Sequence, residues 1–284
     1  MLLEKGKFEA GGGSHAKSGR GGTSLEPDRT RMLTRRSSER KHSPMVNVIC
    51  AKWGPKYGPE YVNRLKSMVS RNLARPHRFV CFTDDPTGLD PDVEHFPMPV
   101  LQVPEPHRNL PWRKVTLFGQ PLGDLEGPTL FLDLDIVIVD SLDPFFDHPG
   151  DFCVIHNWTH PDRRVGNTSV YRFEIGAHQD VLDNLVANHR QIFARYRNSQ
   201  TYVSDHIGEI TWWPDAWCVS FKKHCMPGGP FGLFNWFMTP RRPDGARIVV
   251  FHGDPKPEYA ISGHWPGRWS KHVRPTPWVA EHWG

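Results

Sequence analysis

The sequence predicts an α/β domain with a mostly parallel central sheet flanked by helices. Three observations carry that expectation. Residues 46–51 and 78–83 are apolar, strand-like runs that enclose a segment with helical spacing. Such a strand–helix–strand unit pairs its strands in parallel. Residues 130–139 are Leu, Ile, Val and Phe broken only by Asp133 and Asp135, and they lie between Gly127-Pro128 and Asp143-Pro144. A run that is apolar on both sides reads as a central strand buried on both faces. A last apolar run, residues 247–251, adds a late buried strand.

The elements follow in order. Residues 1–44 are rich in Gly, Ser, Arg and Lys and have no apolar periodicity. This is the composition of a disordered basic tail, either a partner-binding arm or an extension ahead of a true start at Met45. After the first strand, Trp53-Gly54-Pro55-Lys56-Tyr57-Gly58-Pro59 is a loop by its Gly and Pro content. Tyr61, Val62, Leu65, Met68, Val69 and Leu73 then recur at helical spacing until Arg75-Pro76. Residues 86–111 carry seven prolines and read as loop; from Pro111 to about Gln120 the chain reads as helical, with proline in its first turn. Beyond the 130–139 strand, residues 151–155 and 169–173 read as strands and 181–196 as a helix. A Ser204-Asp205 start signal suggests another helix near residues 202–210. Residues 217–221 read as a short strand, and 225–243 as loop.

Composition narrows the classes. A chain of 284 residues forms one large domain or two small ones and can bury a substantial core. No apolar run is as long as a membrane span, and no apolar N-terminal stretch suggests a signal peptide. The five cysteines are odd in number and scattered without a CxxC pair, so neither a thiolate zinc site nor a disulfide frame is expected, and a reducing cytoplasm is the simplest compartment. The formal net charge of +4 belongs to the tail: residues 1–44 hold 10 Lys+Arg and 5 Asp+Glu, whereas the rest hold 25 and 26. Bulk charge gives the body no case for nucleic-acid binding.

The central strand poses a chemical question. Burying one carboxylate costs several kcal/mol, and a second that repels the first costs more. In an extended segment, residues two apart face the same side. If the strand ends near Asp133, both carboxylates lie at its C-terminal mouth, where open α/β sheets place their ligands. Mn²⁺ or Mg²⁺ suits such hard oxygen donors.

The order of these pieces resembles the GT-A fold glycosyltransferases, and most closely the glycogenin and bacterial lipopolysaccharide glycosyltransferase family (family 8). The likeness rests on Phe131-Leu132-Asp133-Leu134-Asp135, on Trp112-Arg113-Lys114 before it, on Asn167-Thr168-Ser169-Val170, and on His252-Gly253 followed by Lys256-Pro257. The chain departs from the family pattern in three places: His252 and Gly253 are adjacent, Glu258 stands where Trp is usual, and Ser169 replaces a Gly. The resemblance implies a GT-A nucleotide-diphospho-sugar transferase domain over 45–257 and a Trp/Pro-rich extension over 258–284, packed on the domain or the acceptor side. It implies a metal held by Asp133, Asp135 and His252, and a nucleotide held by Trp53, Tyr57, Asp84, Lys114, Gly253 and Lys256. Trp53 or Tyr57 would stack on the base, and the lysines would meet phosphate oxygens. Asn167 and Asp205 would stand beside the transferred sugar. The implied partners are a nucleotide-sugar, favouring UDP-sugars, and a glycan or lipid-linked acceptor, with retention of configuration. Trp212, Trp213, Trp236, Trp265 and Trp269 suit an acceptor's sugar faces, core packing, or peripheral contact with lipid headgroups at the inner face of a membrane. Two other classes share features with the chain. Haloacid-dehalogenase-type phosphatases also carry an apolar strand with Asp-x-Asp, but near the domain start and followed by Gly-Thr, where this chain has Ile136-Val137. A carbohydrate-binding protein without catalysis would keep only the fold.

Overall fold

The computed structural model describes residues 45–267 and 271–284. The tail expected over 1–44 lies outside them. Strand β1 (Val46–Lys52) leads through the Gly/Pro loop into helix α1 (Pro59–Asn72), and β2 (His77–Thr83) returns parallel to β1 in the register Val46↔His77 to Lys52↔Thr83. Pro59 stands in the first turn of α1, where its missing N–H costs nothing. Tyr61, Val62, Leu65, Met68 and Val69 form the buried stripe of that helix. Residues 86–111 are not all loop: β3 (Glu94–Pro97) adds a parallel edge to β2. The 111–120 stretch is helical as a 3₁₀ helix, Pro111–Phe118.

The predicted single strand over 130–139 is two strands in two sheets. β4 (Pro128–Leu132) pairs parallel with β1, and β5 (Ile136–Ile138) belongs to a second, three-stranded sheet. The chain bends at Asp133-Leu134-Asp135 between them. Both halves of the run are buried, which is why the composition reads as one strand; the carboxylates mark where the first sheet ends. Helix α2 (Asp143–Asp147), β6 (Cys153–His156) and β7 (Gly166–Glu174) follow. Next come α3 (Gln179–Arg195), α4 (Ser199–His206), β8 (Thr211–Trp212), β9 (Cys218–Ser220), β10 (Ile248–Val250), α5 (Pro257–Ser262) and α6 (Pro277–Trp283). The large sheet runs β3-β2-β1-β4-β7-β6-β8, and the small one β5-β10-β9. β7 is antiparallel to both β4 and β6, while the other adjacent pairs of the large sheet are parallel.

Alternation along the strands divides the core. Val46, Val48, Cys50, Leu130 and Leu132 pack with α1 and the small sheet. Ile49, Ala51 and Phe131 face the 3₁₀ helix, α3 and α4. Each fully buried large side chain, Phe131 among them, contributes about 2 kcal/mol of transfer free energy. All five cysteines are buried and free, as small core hydrophobes. No helix among the described residues is long and apolar enough to cross a membrane.

Candidate active site

Register alone brings distant residues to the bend. The Asp133 amide donates to the Ser169 carbonyl of β7 (2.8 Å), which sets Asn167 and Thr168 alongside. On the other sheet, β10 pairs antiparallel with β5 through Val250↔Ile136, and the Phe251 amide donates to the Asp135 carbonyl at 2.8 Å. His252 and Gly253 therefore leave the strand beside Asp135. β9 runs parallel to β10 with Ser220↔Val250, so the π-helical turn Phe221–Cys225 starts at the same end and presents Lys222 there. The β1 loop supplies Lys56 and Tyr57.

The two carboxylates are bonded differently. Asp133 Oδ1 accepts from Lys114 Nζ at 2.5 Å. Asp135 is buried, and its Oδ2 accepts from the Tyr57 hydroxyl at 2.6 Å. Burial first, then repulsion from Asp133, raises the Asp135 carboxyl above the ordinary aspartate range; the Tyr57 bond, Lys56 and Lys114 only partly offset this. Burial and the Asp135 charge push the Tyr57 phenol well up in turn. The Tyr57 ring lies 4.9 Å from that of Tyr61, with Lys56 Nζ at 4.7 Å and Lys256 Nζ at 5.2 Å from its centroid.

Lysines fill the remaining side. Burial holds Lys222 below the ordinary lysine value, and Lys271 lowers it further, against the pull of Asp254 and Asp135. Gly253 has φ of +73°, a turn that glycine makes without strain, and a Cβ there would be in ordinary contact with Lys222 Nζ at 3.5 Å. His252 is lowered to about 4, chiefly by burial and then by Lys222, Lys223 and His224. It is a neutral imidazole, 2.7 Å from Ser220 Oγ and stacked 5.8 Å from Trp158.

Mutually repelling carboxylates, one of them buried, suit a hard divalent cation by their chemistry. His252 stands apart from them in this arrangement, its Nε2 2.7 Å from Ser220 Oγ, and no three His, Cys, Asp or Glu side chains among the described residues are grouped to hold a metal. Asp133 and Asp135 are thus the residues that would hold such an ion, on giving up Lys114 and Tyr57.

Solved structures share this architecture. The galactosyltransferase LgtC, in complex with donor and acceptor sugar analogues, superposes with a TM-score of 0.51 at 12% identity, over 74% of this chain and 88% of its own. The bifunctional glycosyltransferase WbbM gives 0.53 at 13% identity, over 75% and 46% of the two chains. GlyE of Streptococcus pneumoniae gives 0.53 at 11%, over 74% and 56%. The fold is that of the GT-A glycosyltransferases. No family model and no curated protein sequence matches the chain. A further match is a glutamine-to-glutamate active-site mutant of LgtC, at 11% identity.

Within the GT-A fold, the sequence-predicted residues separate into two groups. Asp133, Asp135, Lys114, Tyr57, Gly253 and Lys256 converge at the bend, with His252 beside it and Asn167 on the adjoining strand, where its Oδ1 accepts from the Ser169 amide at 2.9 Å. Tyr57 takes part through its hydroxyl on Asp135, not as an open stacking face. Trp53 Nε1 donates to the Asn109 carbonyl at 3.0 Å, and the half-buried ring packs on the second core. Asp84 is oriented by a fork: each of its oxygens accepts from the buried Arg113 at 2.7 Å, while its side chain stays exposed. Asp85, not Asp84, holds the following turn, accepting from the Thr87 amide.

Asp205 is a correction. The cap of α4 is Asn198, whose side chain accepts from the Thr201 amide, so Ser204 and Asp205 end the helix rather than start it. The face of α4 toward the bend is Ser199 and Val203, which share a small cavity with Lys114 and Thr168. Asp205, two residues beyond Val203, is turned by about 200° away. It is exposed in a cleft of about 500 Å³ between α3 and α4, with Arg195 Nη2 at 3.9 Å. Gln200, in the first turn of α4, reaches β7 instead, its Oε1 accepting from the Thr168 amide at 3.2 Å. Lys222 and Gln200 are the residues that sequence reasoning missed; an unassigned lysine directly after the strand-like run 217–221 was the only trace of the first.

Proposed function

We propose that this chain is a glycosyltransferase that moves a sugar from a nucleotide-sugar, a UDP-sugar by preference, to a glycan or lipid-linked acceptor with retention of configuration. One observation carries the reading. Within the GT-A fold, two carboxylates and the lysines 56, 114, 222 and 256 meet where two sheets part. Such a site suits a group that is strongly anionic and becomes more so, as the diphosphate leaving group does when the anomeric bond breaks.

Lys222 and Lys256 meet phosphate oxygens as point charges, and partial burial strengthens them relative to water. Lys114 neutralises Asp133 until the anion arrives. A divalent cation, Mn²⁺ or Mg²⁺, when bound at Asp133 and Asp135, supplies Lewis-acid neutralisation of the diphosphate. Tyr57 fixes Asp135 in place through its hydroxyl. Asn167 and Gln200, on the β7 side of the bend, offer amide groups to sugar hydroxyls. With retention, the acceptor's proton goes to the departing phosphate, so no side chain need serve as a general base.

A thermal-shift screen of nucleoside diphosphates and nucleotide-sugars, with and without Mn²⁺, tests the reading. UDP at a hundred times its dissociation constant should stabilise the protein by about 2.7 kcal/mol. Asp135→Asn should lose the metal-dependent part of that shift while remaining folded. A phosphatase would instead release phosphate from a monoester, and a pure lectin would respond to neither ligand.

A further inference from the structure

Eight large hydrophobic side chains are exposed among the described residues, and five of them, Leu233, Phe234, Trp236, Phe237 and Met238, fall within six consecutive positions. Their exposures run from 40% to 72%, with Phe237 highest. A run of this kind is costly in water unless something covers it. It sits on an excursion from the small sheet whose neck is closed by the Arg241 amide donating to the Cys225 carbonyl at 2.9 Å. Inside the neck, the 3₁₀ helix Pro230–Trp236 carries the apolar side chains outward.

The excursion is pinned in place. The Trp236 indole stacks on His272 at 4.0 Å and 5°, Arg274 Nη1 donates to the Trp236 carbonyl at 3.3 Å, and Trp278 Nε1 donates to the Pro240 carbonyl at 3.0 Å. Its apolar tip is therefore presented by the body, not trailing from it. Lys and Arg dominate the charge around it, with Asp244 just beyond the stretch and Asp254 near Lys222. Residues 221–243 contain Lys222, Lys223, Arg241 and Arg242 and no Asp or Glu, and the pinning segment adds Lys271 and Arg274. Lys223, Arg241, Lys271 and Arg274 are exposed. Aromatic and aliphatic side chains rimmed by Lys and Arg are the chemistry of an interfacial membrane contact: the apolar groups enter the acyl boundary while the cations meet anionic headgroups.

We propose that residues 225–241 dock this protein on an anionic phospholipid surface. Lys222 opens the turn into the excursion and also faces Asp135, so docking sets the candidate active site close above the headgroups, within reach of an acceptor that stays in the bilayer. The docking itself does not depend on the transferase reading, because it needs no nucleotide and no turnover.

The test is co-sedimentation of the full chain with phosphatidylcholine vesicles, with and without about a third phosphatidylglycerol, alongside light scattering without lipid. The expected result is binding to the anionic vesicles at least about tenfold stronger than to neutral ones, and an equal or larger loss in Leu233→Ser/Phe237→Ser at unchanged melting temperature. Both replaced side chains are exposed, so the core is untouched. Brominated lipids in the same vesicles should quench the wild-type tryptophan fluorescence, and Trp236→Phe should remove most of that quenching. The proposal is overturned by absence of binding, by equal binding to neutral vesicles, by binding that the double substitution leaves unchanged (which would assign it to the basic residues 1–44), or by a dimer that the substitution dissociates.

Discussion

The bend at Asp133–Asp135 and the cleft between α3 and α4 both gather carboxylates, amides and cations, yet they are built in opposite ways. At the bend the groups come from six separate parts of the chain, one carboxylate is buried, and strand register sets the approach of β7, β9 and β10. In the cleft they come from two neighbouring helices, Asp205 is exposed, and its nearest cation stands at 3.9 Å on a flexible surface arginine. Pairs of the second kind contribute little, because water screens them and side-chain entropy opposes them. The difference teaches that a carboxylate's sequence context says less than what surrounds it: unfavourable burial tolerated in a fold is the mark of a site.

The contrast can be broken by substitution. Asp135→Asn should reduce sugar transfer by about a thousandfold, whereas Asp205→Asn should leave it within about twofold. Equal losses would show that both regions serve the reaction. The same Asp135→Asn change should raise the melting temperature of the ligand-free protein at neutral pH, since it removes a buried charge held at a cost. Lys222→Met should lower turnover by about a hundredfold and weaken UDP binding, with Arg195→Met inert in the same assays. On the stability side, Arg113→Ala should cost about 1–3 kcal/mol in denaturant unfolding by stripping Asp84 of its fork, against almost nothing for Arg195→Ala.

The pH dependence sharpens the comparison at the smallest scale. Asp135 has a raised folded value, so its contribution favours the fold below the ordinary aspartate value of 3.8 and is lost as pH rises through the raised one. His252 has the opposite sign. Its folded value near 4 lies below the ordinary 6.5, so its contribution is present above 6.5 and is lost as pH falls toward 4. Urea midpoints measured from pH 7 to 4 should fall less steeply in His252→Gln than in the wild type and more steeply in Asp135→Asn; an unchanged slope in both would refute the placement of these two groups.

Much of this architecture was legible in the sequence where burial dominates. The first two strands, α1, and the apolar runs on either side of the two aspartates show through composition and period. What stayed hidden depends on pairing. β3 (Glu94-His95-Phe96-Pro97) is a polar edge strand with no alternation to detect, and β8 is only two residues long. The division of residues 130–139 between two sheets shows in the sequence only as the two aspartates, because each apolar half is buried by a different neighbour. Asp205 was misplaced because Ser204-Asp205 imitates a helix start, while the working cap, Asn198, sits after a less conspicuous Tyr196-Arg197. Lys222 showed only as a lysine after a strand-like run, since only the β9–β10 register carries it to Asp135.

The backbone at the bend has a mechanical consequence. The Asp133 amide is tied to the large sheet through Ser169 and the Asp135 carbonyl to the small sheet through Phe251, with Leu134 alone between those two ties. Any change in the angle between the layers alters the gap between the two carboxylates, and any ligand that bridges the gap clamps the layers together. Nucleotide binding should then slow amide exchange in β5 and β10, far from the base, by stapling shut the seam along which the molecule would otherwise breathe.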